Sequence, residues 1–214
     1  LGTLGLDPTE RERHIAWAIG AAGVAQPLPL MLDATLVLQN YSRLVTDCNR
    51  PHDDASLIPR VSEATEIPGN HGLDESARAQ RRDEIFQPYH DAIGRLLDAR
   101  RERPTVLVAI HSFTPVYLEQ TRPWHIGVLY GGDPRVANHL LDHFGAHDTI
   151  AVGDNEPYQL DETDFTAVTH CARRGLPHVQ FEVRQDLIRT REDARLWAHR
   201  IGDAIDAADF TNQG

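Results

Sequence analysis

Residues 105 to 110 read TVLVAI, an apolar run without a polar residue in alternate positions beyond its first threonine. A strand with one wet face alternates apolar and polar side chains, whereas an unbroken β-branched run is covered on both faces. Such cover comes from helices, and the flanking sequence supplies them. Ahead of the run, DESARAQRRDEIFQPYHDAIGRLLDARRER places Ile85, Phe86, Tyr89, Ile93, Leu96 and Leu97 on one helical stripe, with a kink expected at Pro88. Behind it follow HIGVLYG as a short strand, PRVANHLLDHFGAH as a helix, HVQFEV as a strand and REDARLWAHRIGDAIDAA as a last helix. This alternation predicts an α/β fold with a mixed, mostly parallel central sheet and helices on both faces. At 214 residues and 41% hydrophobic content the chain can bury one full core, so a single domain over residues 1–214 is expected.

The amino-terminal part reads less regularly. Asp7 as N-cap, Pro8 at the first helical position and Glu10 in the first turn predict a helix from there to about Gly23. ATLVLQN, residues 34–40, reads as a strand leading into a loop fixed by Pro51, and residues 52–73, with Pro59, Pro68, Gly69 and Gly72, read as one long loop. A net charge of -11 argues against nucleic acid and anionic membranes, both of which take a basic face. Two cysteines, Cys48 and Cys171, are too few for a disulfide framework or a thiolate zinc site and are read as packing residues in a reducing cytoplasm. No run reaches the length of a membrane span, and the first residues lack the order of a secretion signal.

Three polar clusters stand at element ends. VLVAI delivers His111 and Ser112 at the carboxyl end of a strand, where open α/β sheets place their ligands. An imidazole there can hold a divalent metal, act as a base, or simply cap the strand. In DCNRP, Asn49 and Arg50 offer an amide and a planar guanidinium fork to a carboxylate, the alternative being a structural ion pair of Arg50 with Asp47 or with loop acids. In VQFEVRQDL, alternation sets Glu182 on the opposite face from Phe181 and Val183, toward either water or a polar cavity suited to a general base. GDNEPY, with Tyr158, is a turn-rich loop that either lines the same site or is only a turn.

Taken in order, SRLVTDCNRP, IHSFTP, GDNEPY and FEVRQDL, preceded by HIAW and GA, resemble the N-formylglutamate amidohydrolase family over nearly the whole chain. That family in turn resembles the zinc carboxypeptidases and their phosphorylase/hydrolase-like fold. The resemblance implies zinc-dependent hydrolysis of the amide of N-formyl-L-glutamate, or of a close N-acyl amino acid, to formate and the free amino acid. It implies His111 as a zinc ligand, Glu182 as the general base, and Asn49 and Arg50 as the grip on the α-carboxylate. Arg43 and Arg122 become candidates for the second carboxylate or the oxyanion, and Tyr158 for closing over the substrate. It further implies a first metal-ligand segment and an initial strand upstream of LGTLGLDP, and an aspartate where this chain has Ala18. His14, His52 and His71 are the substitutes on offer as ligands. The other class of reading is a non-catalytic protein that binds a small carboxylate and has lost its metal.

Overall fold

A computed structural model of the chain describes residues 2–160 and 164–208. In chain order the helices are α1 (Pro8–Arg11), α2 (Ala21–Ala25), α3 (Leu28–Leu32), α4 (Glu75–Arg81), α5 (Gln87–Ala99), α6 (Arg135–Gly145), α7 (Thr166–Ala172) and α8 (Arg191–Ala207). The strands are β1 (Val61–Ser62), β2 (Thr65–Glu66), β3 (Leu107–Phe113), β4 (Val116–Tyr117), β5 (Gln120–Thr121), β6 (Ile126–Leu129), β7 (Val152–Asp154) and β8 (His178–Arg184). The chain divides into two compact units. One holds residues 1–17, 37–99 and 162–166, and the other residues 18–36, 100–161 and 167–214.

The second unit carries the central sheet, ordered β3-β8-β6-β7. β3 with β8 and β6 with β7 run parallel, while β6 and β8 are antiparallel, so the sheet is mixed and mostly parallel as the sequence predicts. One face is apolar because alternate residues of every strand point the same way. Val179, Phe181 and Val183 of β8 and Ile126 and Val128 of β6 are fully buried there. They join Val24 of α2, Val136, Leu140 and Phe144 of α6, and Ala198 and Ile201 of α8 in one core. The last helix begins where its sequence says it should: Thr190 Oγ1 accepts from the N–H of Asp193 at 3.1 Å, a side-chain cap on an otherwise orphaned donor.

The first unit is built from short elements around Leu44, Val45, Leu57, Ile58, Ile67, Ile85 and Phe86. A buried polar node ties them together. Arg81 donates to the carbonyls of Val45 (2.9 Å) and Gly69 (3.2 Å) and to Asn70 Oδ1 (2.7 Å). Asn70 Nδ2 in turn donates to the carbonyls of Leu44 (2.7 Å) and Pro59 (2.6 Å). Burial pushes the Arg81 pKa down, since the charged form has left water.

Several expectations are corrected. The Asp7 cap is present, its carboxylate accepting from Glu10 N–H at 3.1 Å, but α1 ends at Arg11 instead of near Gly23. Arg13 and His14 leave the helix to meet Glu63, at 2.5 Å and 2.9 Å. Gly20 then sits at φ 79°, a left-handed turn in which a Cβ would meet the Ile188 carbonyl at 2.4 Å, before α2 begins. Residues 34–40 are not a strand: they run without regular structure and residues 34–36 are exposed, β-propensity alone being insufficient without a neighbouring strand. Residues 52–73 are not a bare loop either, since β1 and β2 pair there as a hairpin. Near Pro88 the helix passes through a π turn, Arg82–Phe86, rather than a sharp kink. Gln87 N–H reaches back to the Arg82 carbonyl, one residue farther than in a regular turn, and the helix runs on through Pro88. Burial pushes the thiols of Cys48 and Cys171 up to about 12, in keeping with packing roles.

Candidate active site

The face of the sheet opposite the apolar core is polar at its centre. His111 of β3 is in register with Glu182 of β8, Glu182 with Gly127 of β6, and Gly127 with Gly153 of β7. Residues in register project to the same side, so a histidine, a carboxylate and two glycines form one row across four strands. Glu182 is 4% exposed, as is Gln180 two residues earlier on the same side. Gln180 Nε2 donates to Glu182 Oε1 at 3.1 Å, which supports the carboxylate away from water. Of the two readings of Glu182, the one that turns it toward water therefore fails, because the residue is buried on β8, which lies inside the sheet between β3 and β6.

The two glycines have a steric reason. A Cβ on Gly127 would lie 2.0 Å from the Glu156 carbonyl oxygen, and one on Gly153 would lie 2.8 Å from Glu156 Cβ and 3.0 Å from Trp124 Cδ1. The segment after β7 thus folds back flat over the strands beside Glu182. Asn155 fixes the reversal. Its N–H donates to the Val128 carbonyl at 3.1 Å and its Oδ1 accepts from Tyr130 N–H at 2.9 Å, with φ at 50°. Beyond the cis Glu156–Pro157 bond, Tyr158 Oη accepts a hydrogen bond from Arg122 at 2.8 Å.

Arg122 comes from the other side of the same unit, on the segment after the β4–β5 hairpin. Thr114 Oγ1 donates to the Val116 carbonyl at 3.0 Å and Arg122 N–H donates to the Pro115 carbonyl at 2.8 Å, closing the hairpin just past the end of β3. Below it, Arg184 N–H donates to the His125 carbonyl at 2.9 Å and its guanidinium reaches the Pro123 carbonyl at 3.2 Å, which secures the approach to β6. His125 Nδ1 accepts from Ala151 N–H at 2.9 Å. Burial, and then the charge of Arg184, hold its pKa below the ordinary histidine value.

The remaining predicted residues lie in the first unit. Asp47 Oδ1 accepts from Asn49 N–H at 3.0 Å, a side-chain turn that presents the Asn49–Arg50 dipeptide. Its other oxygen pairs with Arg43 at 2.6 Å, so Arg43, and not Arg50, makes the ion pair with Asp47. Asn49 is committed through both ends of its amide: Nδ2 donates to Asp164 Oδ1 at 2.8 Å, and Oδ1 accepts from Thr166 N–H at 3.0 Å. Arg50 Nη1 donates to the Asn49 carbonyl at 3.3 Å. His14 pairs with Glu63 and His71 with Glu66, at 2.9 Å and 2.8 Å, and His52 lies edge-on to Phe86.

A zinc centre asks for three protein ligands and a water. Among the described residues no group of three or more histidine, cysteine, aspartate or glutamate side chains could hold a metal ion, so these residues do not fit a complete zinc site.

Against known proteins, residues 2–189 match the model of the N-formylglutamate amidohydrolase family. The chain belongs to the N-formylglutamate amidohydrolase family. A curated relative, the N-formylglutamate deformylase of Pseudomonas putida, is 37% identical over 82 residues, which is 34% of this chain and 31% of that protein. The match therefore spans about a third of that relative's length. Among solved structures, a gene product of Agrobacterium tumefaciens superposes with a TM-score of 0.91 at 37% identity, covering 97% of this chain and 83% of that one. An N-formylglutamate amidohydrolase from Ralstonia eutropha JMP134 shares the fold, with a TM-score of 0.63 at 15% identity over 100% of this chain and 90% of its own. Within this amidohydrolase family fold, the row across the sheet, Gln180, the hairpin β4–β5 and the β7 partner strand are the parts that motif reading missed. The glycines were the available signal, standing at alternate-face positions in HIGVLYG and AVGDNEPY.

Proposed function

We propose that this amidohydrolase family member hydrolyses the amide of N-formyl-L-glutamate or a closely related N-acyl amino acid. The observation that carries the reading is the register of His111 with Glu182, with Glu182 buried on the polar face of the sheet. Glu182 is the general base: a buried carboxylate that accepts from the Gln180 amide is placed to take a proton from an attacking water and return it to the leaving amine. His111, beside it, is the residue of this chain that would serve a metal. The Asn49–Arg50 turn is proposed as a carboxylate-binding element, with Arg43 holding Asp47 and thereby the turn. Arg122 and Tyr158, bonded to each other, serve the second carboxylate or the oxyanion.

The test is hydrolysis of N-formyl-L-glutamate followed by formate release. Glu182→Gln keeps the shape and the Gln180 contact, and should lower kcat by about 100- to 10,000-fold with an unchanged unfolding midpoint. Undiminished turnover in that variant removes Glu182 from the chemistry.

A second reading, a carboxylate-binding protein without a metal, is favoured by the absence of a three-ligand group among the described residues. Metal analysis separates the two. Zinc bound stoichiometrically and lost in His111→Ala supports the hydrolase with His111 as ligand. A protein free of zinc that still binds glutamate supports the binding protein.

A further inference from the structure

Several histidines of the chain are tied to a neighbour. His14 and His71 meet glutamates at 2.9 Å and 2.8 Å, the Cys48 carbonyl accepts from His90 Nε2 at 2.9 Å, and His125 Nδ1 accepts from Ala151 N–H at 2.9 Å. His143 and His147 differ. Neither imidazole has a hydrogen bond or an ion pair among the described residues, and the two rings meet each other instead, their centres 5.5 Å apart at an interplanar angle of 63°.

The backbone brings them together. HLLDHFGAH, residues 139–147, carries a histidine at every fourth position. α6 ends at Gly145, yet the coil does not straighten there: Ala146 N–H donates to the Asp142 carbonyl at 3.0 Å and His147 N–H to the Phe144 carbonyl at 3.1 Å. This tightened turn keeps His147 above His143, in the i, i+4 relation through which two histidines of one helix hold a single metal ion. Two imidazoles on one ion, with metal–nitrogen bonds of about 2.0–2.1 Å, have ring centres roughly 5 Å apart. The backbone therefore already stands at the required spacing, and rotation about the broad terminal torsion of histidine turns a nitrogen of each ring inward. Charge favours a cation as well, since the carbonyl end of a helix is partly negative and the whole chain carries -11. His147 is exposed, which lets water fill the remaining coordination positions.

We propose that His143 and His147 form a binding site for a divalent transition-metal ion, copper(II) ahead of nickel(II) and zinc(II), the order that imidazole nitrogen imposes. Among the described residues no third histidine, cysteine or carboxylate completes the set, so the site is an open one of two imidazoles and water. α6 packs on the apolar face of the sheet, opposite the row of His111 and Glu182, so this ion is not the one that would serve hydrolysis. Bound here, it ties the last turn of α6 to the turn that enters β7, where Ile150 N–H donates to the His147 carbonyl at 2.9 Å.

The experiment titrates untagged protein with copper(II), nickel(II) and zinc(II) chlorides at pH 7.5 by calorimetry, and follows the thermal midpoint in parallel. It is run on the wild-type and His111→Ala chains, so that an ion held by His111 is counted separately. One equivalent of copper should bind in the His111→Ala chain and raise its midpoint, and nickel and zinc should bind more weakly. His143→Ala and His147→Ala should each weaken copper binding by at least about 10-fold, and His139→Ala by less than about 3-fold. Lowering the pH to 5.5 should weaken it by at least about 10-fold, because both rings must be neutral to bind. Electron paramagnetic resonance of the copper complex should show two imidazole nitrogens, and one in either variant. Copper binding unchanged in His143→Ala and His147→Ala overturns the proposal, as does the loss of every bound equivalent in His111→Ala. An equal loss in His139→Ala moves the pair one turn back along α6 and overturns it too. A chain inactive toward N-formyl-L-glutamate would remove the hydrolase reading and leave this titration as decisive as before.

Discussion

A carboxylate and a guanidinium define the residue scale, and each is handled differently by its surroundings. Glu182 is kept from water on a strand and accepts from a neighbouring amide, whereas Arg81 is buried among carbonyl oxygens and the Asn70 amide. Taking Arg81 away would strand Asn70 Oδ1 and two backbone acceptors in a dry site, and each such loss carries its own desolvation cost. Arg81→Met should lower the unfolding free energy by about 2–4 kcal/mol in urea denaturation. Asn70→Ala should cost a similar amount, and the double variant less than the sum, because both act through one network. An additive double variant would show that the two are independent. Of these residues, sequence alone pointed to Glu182 through its polar break in an apolar strand. Arg81 gave no signal, since one arginine among several on a helix looks solvated until the chain that closes over it is known.

At the scale of elements, the site depends on strands more than on loops. β3 was legible from its unbroken apolar run, β8 from an apolar strand with Glu182 set on the opposite face from its neighbours, and α6 and α8 from their periodicity. β7 was not: three residues with two of them Gly and Asp carry too little pattern, and the strand exists because β6 lies beside it. The strand expected at residues 34–40 failed for the converse reason, apolar residues with nothing to pair against. Gly127 tests how far the returning 154–158 segment matters. A methyl at that position would lie 2.0 Å from a backbone oxygen, which no side-chain rotation relieves. Gly127→Ala should displace the segment, break the Arg122–Tyr158 hydrogen bond and lower kcat/KM for N-formyl-L-glutamate by at least about 10-fold. The apolar face of the sheet should persist, so far-ultraviolet circular dichroism should stay close to wild type. Retained activity would show that the segment is not part of the site.

For the molecule as a whole, charge sets the response to acid. Hydrogen bonds and arginine neighbours hold Glu10, Asp54, Glu75 and Asp133 below the usual carboxylate range. Each therefore binds fewer protons folded than unfolded, so its contribution is present above the ordinary carboxylate pKa of about 4 and is lost as pH falls through the lower folded value. His125, also lowered, acts in the same direction starting near pH 6.5, with burial its main cause. Urea midpoints should stay level from about pH 8 to 7, dip slightly toward pH 5.5 and fall more steeply below about pH 4.5. His125→Gln should remove the first dip and leave the second, and a first dip that persists would assign it to another histidine. Among the described residues no helix is long and apolar enough to cross a membrane.

The floor beside Glu182 is laid by the Glu156 carbonyl over a bare Gly127. Every amino acid at position 156 would bring that same oxygen, so point mutation there cannot repaint this surface. A different shape at this floor would have to come from the rim or from the length of the returning segment after β7.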